Sequence, residues 1–286
     1  MANIRLIRRR IRGVQSTAKI TRAMEMIATS KMRRAQEAGI AGRPYDQKIR
    51  QVIADLAAMR QTGESHPLLQ TREVKKIAIV HISPDRGLCG GLIANLNRKT
   101  AGFILEQKTP VTLVSVGRKG IDFMRRYGRE MRAEFTQLGD RPSLLDTLAI
   151  SRIIIDDYTN EYVDEVYVVY TRFISTMVQT PVMEKLLPIE PPESTQDKSS
   201  DFDYEPASED VLGALLPRFV EMEIYHAILE SIASEQSARM VAMRSATDNA
   251  AELILDLTLM YNKARQEAIT TELLDISSGA AALTKN

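Results

Sequence analysis

The chain predicts an α/β protein whose N- and C-terminal helices form a long antiparallel coiled coil, with a separate α/β domain between them. Three observations carry this expectation. Apolar residues recur at three-and-four spacing over residues 1–59 and again over residues 208–286. Between these segments the period changes to short apolar runs alternating with helical stretches. Of the 286 residues only 5% are aromatic, none is Trp and 13 are Met, which suits closely paired helices better than a thick interior.

In the first segment the seam runs Ile4, Ile7, Ile11, Val14 and Ala18, then Ile20, Met24 and Ile27. After a basic interruption at residues 31–34 it resumes at Ala38, Ala41, Tyr45, Ile49, Val52, Leu56 and Met59. This heptad-like pattern belongs to a helix committed to a helical partner. Pro44, two residues after Gly42, is expected either to kink this helix or to divide it into two shorter bundle helices.

Residues 75–189 read differently. The runs 76–83 and 110–117 are expected to be buried parallel strands, with a third strand at 163–170 and an edge strand at 178–187. Helical stretches at 92–107, 118–127 and 143–158 supply the crossovers, which makes a Rossmann-like α/β domain. Residues 190–207, rich in Pro, Ser and Asp, read as a flexible acidic loop.

The last segment, 208–286, reads as one helix whose single proline, Pro217, falls in its first turns. Its seam is Gln236, Met240, Met243, Thr247, Ala250, Ile254, Leu257, Tyr261, Ala264, Ala268 and Thr271. Gly279 either caps its end or is tolerated there. At about 1.5 Å per residue the first helix spans roughly 80 Å and the last roughly 110 Å. Set antiparallel, the shorter one ends near Tyr261, and about 20 residues of the longer one project beyond it. Counting back from Ala57 opposite Ser208 places Met24 level with Val241. A lone helical tip needs something around it.

The net charge of +1 hides two opposed segments. Residues 1–36 carry ten Lys and Arg against Glu25 alone, and residues 193–210 carry seven acids against Lys198 alone. Partners of opposite sign at different ends follow from that asymmetry. Arg8, Arg9, Arg12, Arg33 and Arg34 are expected on the outside of the coil, facing either water or an acidic protein. The segment lacks the interleaved aromatics of a nucleic-acid surface. With Cys89 as the one cysteine, no intrachain disulfide is possible. No apolar run approaches the roughly 20 residues of a membrane helix, and the Arg-rich start has no signal-peptide core.

Few residues suggest chemistry. Asp85-Arg-Gly-Leu-Cys-Gly-Gly91 sits between a strand and a helix, where α/β folds bind phosphate. It lacks both the dinucleotide spacing and a P-loop Lys, so it reads as a tight turn, with a nucleotide site as the competing reading. Cys89 is either a small buried side chain or an activated thiol at that helix start. His66, His81 and His226 lack metal-ligand spacing, and Asp156 and Asp157 are expected to face solvent on a helix. No nucleophile–base set emerges, so a non-enzymatic chain without cofactor or metal is expected.

At the C-terminus Ile269-Thr-Thr-Glu-Leu-Leu-Asp-Ile-Ser-Ser-Gly-Ala280 resembles the signature of the ATP synthase gamma family. Ser234-Glu-Gln-Ser-Ala-Arg-Met-Val-Ala-Met243 and Tyr261-Asn-Lys-Ala-Arg-Gln266 are similar to its rotor-helix segments. Lys19-Ile-Thr-Arg-Ala-Met-Glu-Met26, Ser30-Lys-Met32 and the turn at 85–91 resemble further family motifs, so the likeness covers nearly the whole chain. The absence of the chloroplast type's inserted cysteine pair points to the bacterial F-type form.

The resemblance implies a central rotor shaft that couples proton-driven ring rotation to the nucleotide affinities of catalytic sites elsewhere. Its coil would enter the bore of a hexamer of alpha and beta subunits. Its α/β domain would meet the epsilon subunit and the ring of c subunits, at the cytoplasmic side of the cell membrane and without a span of its own. Arg265, Gln266, Thr270 and Glu272 would contact the surrounding subunits, and Met24, Met240, Met243, Ile254 and Leu257 would lie along the coiled-coil seam. The competing readings are a cytoplasmic coiled-coil scaffold or nucleic-acid adaptor, and a nucleotide-binding enzyme using the turn at 85–91.

Overall fold

The structure, a computed structural model, describes residues 4–58, 66–190 and 208–283. Met59 and most of the acidic loop expected at 190–207 lie outside the described residues, as does the side chain of Leu56. In chain order the elements are α1 (Ile4–Ala58), a 3-10 turn (Pro67–Leu69), β1 (Ile77–Ile82), α2 (Leu92–Glu106), β2 (Val111–Val116) and α3 (Arg118–Arg126). Then follow β3 (Met131–Phe135), α4 (Leu144–Thr159), β4 (Glu165–Phe173), β5 (Gln179–Leu187) and α5 (Ser208–Leu283). The chain divides into two compact units, residues 28–239 and residues 1–27 with 240–286.

In the larger unit the sheet order is β3-β2-β1-β4-β5, with β1–β4 parallel and β5 antiparallel at one edge. β1 is buried on both faces. Ala78, Val80 and Ile82 join Ile150, Ile154 and Tyr158 of α4 and Leu216, Val220 and Ile224 of α5. Ile77 and Ile79 turn to the other face, against Leu96 and Ile104 of α2 and Met124 of α3. A strand covered on both faces cannot alternate, which is why these residues form a continuous apolar run. α4 opens on a capping box in which Ser143 and Asp146 satisfy each other's backbone N–H.

Two findings differ from expectation here. β3 was not legible as a strand, because Arg132 and Glu134 interrupt its apolar residues. It is an edge strand, and alternating charge suits an edge. Asp157, expected in solvent, is 5% exposed. Arg132 of β3 donates to both its carboxylate oxygens at 2.9 Å, a bidentate pair that ties α4 to the sheet edge.

α1 continues through Pro44 as one helix. Gly42 lets its second half lie close to α5, since a Cβ there would stand 2.4 Å from the His226 ring. Nearby Arg50 pairs with Glu223 and stacks over Phe219 at 5.0 Å.

Candidate functional site

In the smaller unit the first half of α1 pairs with the second half of α5 in antiparallel sense. The Thr21 and Thr247 hydroxyls lie 2.7 Å apart, and the Arg8 guanidinium stands 5.9 Å from the Tyr261 ring centre. On α5, Met243, Ala250, Leu257 and Ala264 are buried, and Met240, Ile254 and Tyr261 are half-buried. On α1 the inward positions are Ile4, Ile7, Ile11, Val14, Ala18, Thr21 and Met24.

The α1 register corrects the sequence reading. Ile20 and Ile27 are 60% and 54% exposed, whereas Thr21 and Ala28, each one position on, are 8% and 1% exposed. The basic stretch at 31–34 is no interruption, because the inward row continues through Ala28 to Ala35 while Ala38 and Ala41 face out. Small residues are chosen at the seam because they let the two backbones approach. The Thr21–Thr247 contact carries Met24 level with Arg244, one helical turn from the expected Val241.

The same register brings Ile4 level with Ala264, so α5 residues beyond that point have no α1 residue beside them among the described residues. Arg265, Gln266, Thr270 and Glu272 all lie there and are all exposed. Among the described residues, none pairs with the side chains of Arg265 or Gln266. Ile269, Leu273, Leu274 and Ile276 are exposed around them, and Leu253, Leu255, Leu259 and Met260 lower on α5 are exposed too. Sequence reasoning passed over these residues. The signal was available as large apolar residues off the three-and-four seam, matched on α1 by Leu6 and Met26, and the structure adds Ile20 and Ile27, which the sequence reading had set on the seam. Apolar side chains on the outer faces of a paired helix mark a surface meant to be covered.

The turn at 85–91 is held by the chain itself. Asp85 accepts the backbone N–H of Arg118, the first residue of α3, and of Gln137, each at 2.9 Å. Its carboxylate thus sits at the N-terminus of α3, whereas the start of α2, at Gly91, carries no side-chain cap. Arg239 of α5 donates to the Gly87 carbonyl at 3.1 Å and pairs with Glu235 at 2.7 Å. Cys89 is buried, and that burial pushes its thiol pKa up, away from an activated thiolate. Leu88 is held at a φ of 64° with its side chain exposed. The turn is a docking element between the sheet and α5.

The histidines serve structure. His66 accepts the Leu68 N–H at the 3-10 turn, and His226 packs against Gly42. His81 is fully buried, with Nε2 donating to Asn97 and Nδ1 facing the Thr100 hydroxyl, each at 3.0 Å. Burial pushes its pKa down to about 4. An unfolded histidine titrates near 6.5, so the unfolded chain takes up the proton first. The stabilisation is complete above about pH 6.5 and is lost as pH falls toward 4, a change on the order of 3 kcal/mol. Urea unfolding at pH 7.5 and 4.5 should show this loss, and His81→Gln should reduce the difference between the two.

Among the described residues no group of His, Cys, Asp and Glu could hold a metal ion. A cavity of about 580 Å³ between α1, β4, β5 and α5 is lined by mutually paired charges, including Arg172 with Glu184 and Arg50 with Glu223. It brings no nucleophile beside a base. No described helix is long and apolar enough to cross a membrane.

A long antiparallel helical pair with apolar residues on its outer faces is the build of a shaft-type protein. Comparison with known proteins makes this specific. The family model described as ATP synthase matches residues 3–283. The ATP synthase gamma chain of Dehalococcoides mccartyi (strain CBDB1) is 66% identical over 284 residues, covering 99% of this chain and 100% of that one. The gamma chain of Roseiflexus castenholzii is 50% identical, covering 99% of each. Among solved structures, the rotor of the Euglena gracilis mitochondrial ATP synthase matches with a TM-score of 0.63 at 21% identity, covering 93% of this chain and 98% of that one. The chain belongs to the ATP synthase gamma chain family.

Proposed function

We infer that this chain is the central rotor shaft of an F-type ATP synthase and is itself non-catalytic. The observation that carries the reading is the α5 segment past Ala264, a helix exposing Ile269, Leu273, Leu274 and Ile276 with no α1 residue beside it among the described residues. Water is a poor environment for that surface, and a sleeve of other subunits is a good one. The coil turns within the bore of an alternating alpha and beta hexamer, and the α/β unit meets the epsilon subunit and the c-subunit ring. The chain is peripheral to the membrane, held through the complex at its cytoplasmic side. Its asymmetric surface favours one beta conformation over the others, and rotation moves that preference from site to site.

Co-expression with alpha and beta subunits should yield a stable complex with ATPase activity, while the purified chain alone turns over no nucleotide. Turnover by the repurified chain alone would overturn the non-catalytic reading. Nucleic acid copurifying in place of the subunits would favour the adaptor.

A further inference from the structure

Where the two helices of the smaller unit meet, Arg8 stands over the Tyr261 ring near one end, and further along a hydroxyl pair lies among aliphatic neighbours. The Thr21 and Thr247 hydroxyls are 2.7 Å apart. Along the same seam lie Ile11, Val14 and Ala18 on α1, and Met243, Ala250, Ile254 and Leu257 on α5. Each hydroxyl also faces a carbonyl of its own helix, Thr247 that of Met243 at 2.9 Å and Thr21 that of Ala18 at 3.1 Å. One of the two therefore donates across the seam and the other donates to its own backbone.

The aliphatic neighbours discriminate weakly between registers. A slide of one turn sets Ile11 against Ile254 and Val14 beside Ala250, aliphatic contacts again. A hydroxyl pair is met in one register only, and a polar residue in an apolar seam is a known means of specifying alignment. We propose that Thr21 and Thr247 are positioning residues that set the axial register of the two helices within the smaller unit, so that torque on one is carried by the other there without slip. The coupling part of this inference rests on the rotor reading above, whereas the register part does not.

The test uses the assembled ATP synthase with cysteine pairs placed on the shaft. Val14→Cys with Ile254→Cys are level in the observed register, and Ile11→Cys with Ile254→Cys are level only after a one-turn slip. With both threonines present, oxidation should cross-link the level pair alone. In T21V/T247V the slipped-to-level yield should rise about fivefold, the factor set by one neutral hydrogen bond, and protons pumped per ATP hydrolysed should fall. Replacing both hydroxyls by methyls of similar shape should leave the melting temperature at or above that of the parent. T21S/T247S keeps the hydroxyls and should restore both the single register and the coupling. A double-valine complex with one register and unchanged pumping overturns the proposal, as does a double-serine complex that slips as readily as double valine. Failure of the parent complex to couple at all would count against the rotor reading, and the cross-link ratio would still decide the register lock.

Discussion

Gly117→Ala is expected to unfold the α/β unit or to leave it too unstable to assemble, the largest effect of any single methyl group in this unit. Gly117 links β2 to α3 at a φ of 90°, and a Cβ built there would stand 1.8 Å from the Ser83 carbonyl oxygen and 2.7 Å from its carbon. Those atoms are backbone, and they are fixed. Ser83 N–H donates to the Val116 carbonyl at 2.8 Å, and Gly117 N–H donates to Phe135 at 2.7 Å. The ends of β1, β2 and β3 are thereby stitched at one point, and none can retreat without breaking a bond to the next. Left-handed strain of about 1–3 kcal/mol adds to overpacking of similar size, together a large share of a domain's stability. Thermal melting should show the loss directly. Gly102→Ala is the control: it lies inside α2 with nothing within 4 Å of its added Cβ, and should be neutral or slightly stabilising. Equal melting temperatures for the two variants would mean the β1–β2 junction is far more compliant than its geometry indicates.

What could be read from the residues follows from what each residue must satisfy. β1, β2 and β4 were legible because strands covered on both faces need mostly apolar, β-branched runs of strand length, even where His81, Thr112 or Ser115 falls within them. β3 was not, because an edge strand keeps Arg132 and Glu134, and its pairing to β2 is invisible to local pattern. The burial of Asp157 depended on Arg132 being strand and near, so missing one meant missing the other. The α1 seam shows a subtler limit. Periodicity identified a paired helix, but choosing its inward face by size selected Ile20 and Ile27 over Thr21 and Ala28. Hydrophobicity favours the larger residue; close pairing of backbones favours the smaller. In a shaft with partners on its outside both faces carry apolar residues, and the seam is told from the bearing surface by side-chain volume.

The double substitution R265A/Q266A is expected to slow ATP turnover of the assembled complex by about tenfold while leaving assembly intact. Both residues are exposed on α5 just beyond Ala264, past the first described turn of α1. Removing them creates no cavity, since neither side chain is packed, and alanine is the best helix former. Folding of the chain should therefore be unaffected. What changes is the outward surface. A guanidinium presents a rigid fork of donors that matches a carboxylate, and such charge-assisted pairs are short and directional. An acidic loop of the catalytic subunit closing on Arg265 would gain a contact in one rotational state and lose it in the next. At about 1–3 kcal/mol for a hydrogen bond to a charged group, the contact suffices to shift a conformational equilibrium tenfold or more. Arg265→Lys keeps the charge and loses the fork, so it should fall between parent and double variant. The readouts are steady-state ATPase, ATP synthesis and subunit stoichiometry of the purified complex. Parental ATPase and synthesis rates in R265A/Q266A would show that neither residue reports the shaft's position to the catalytic sites, and the role would pass to the exposed leucines around them.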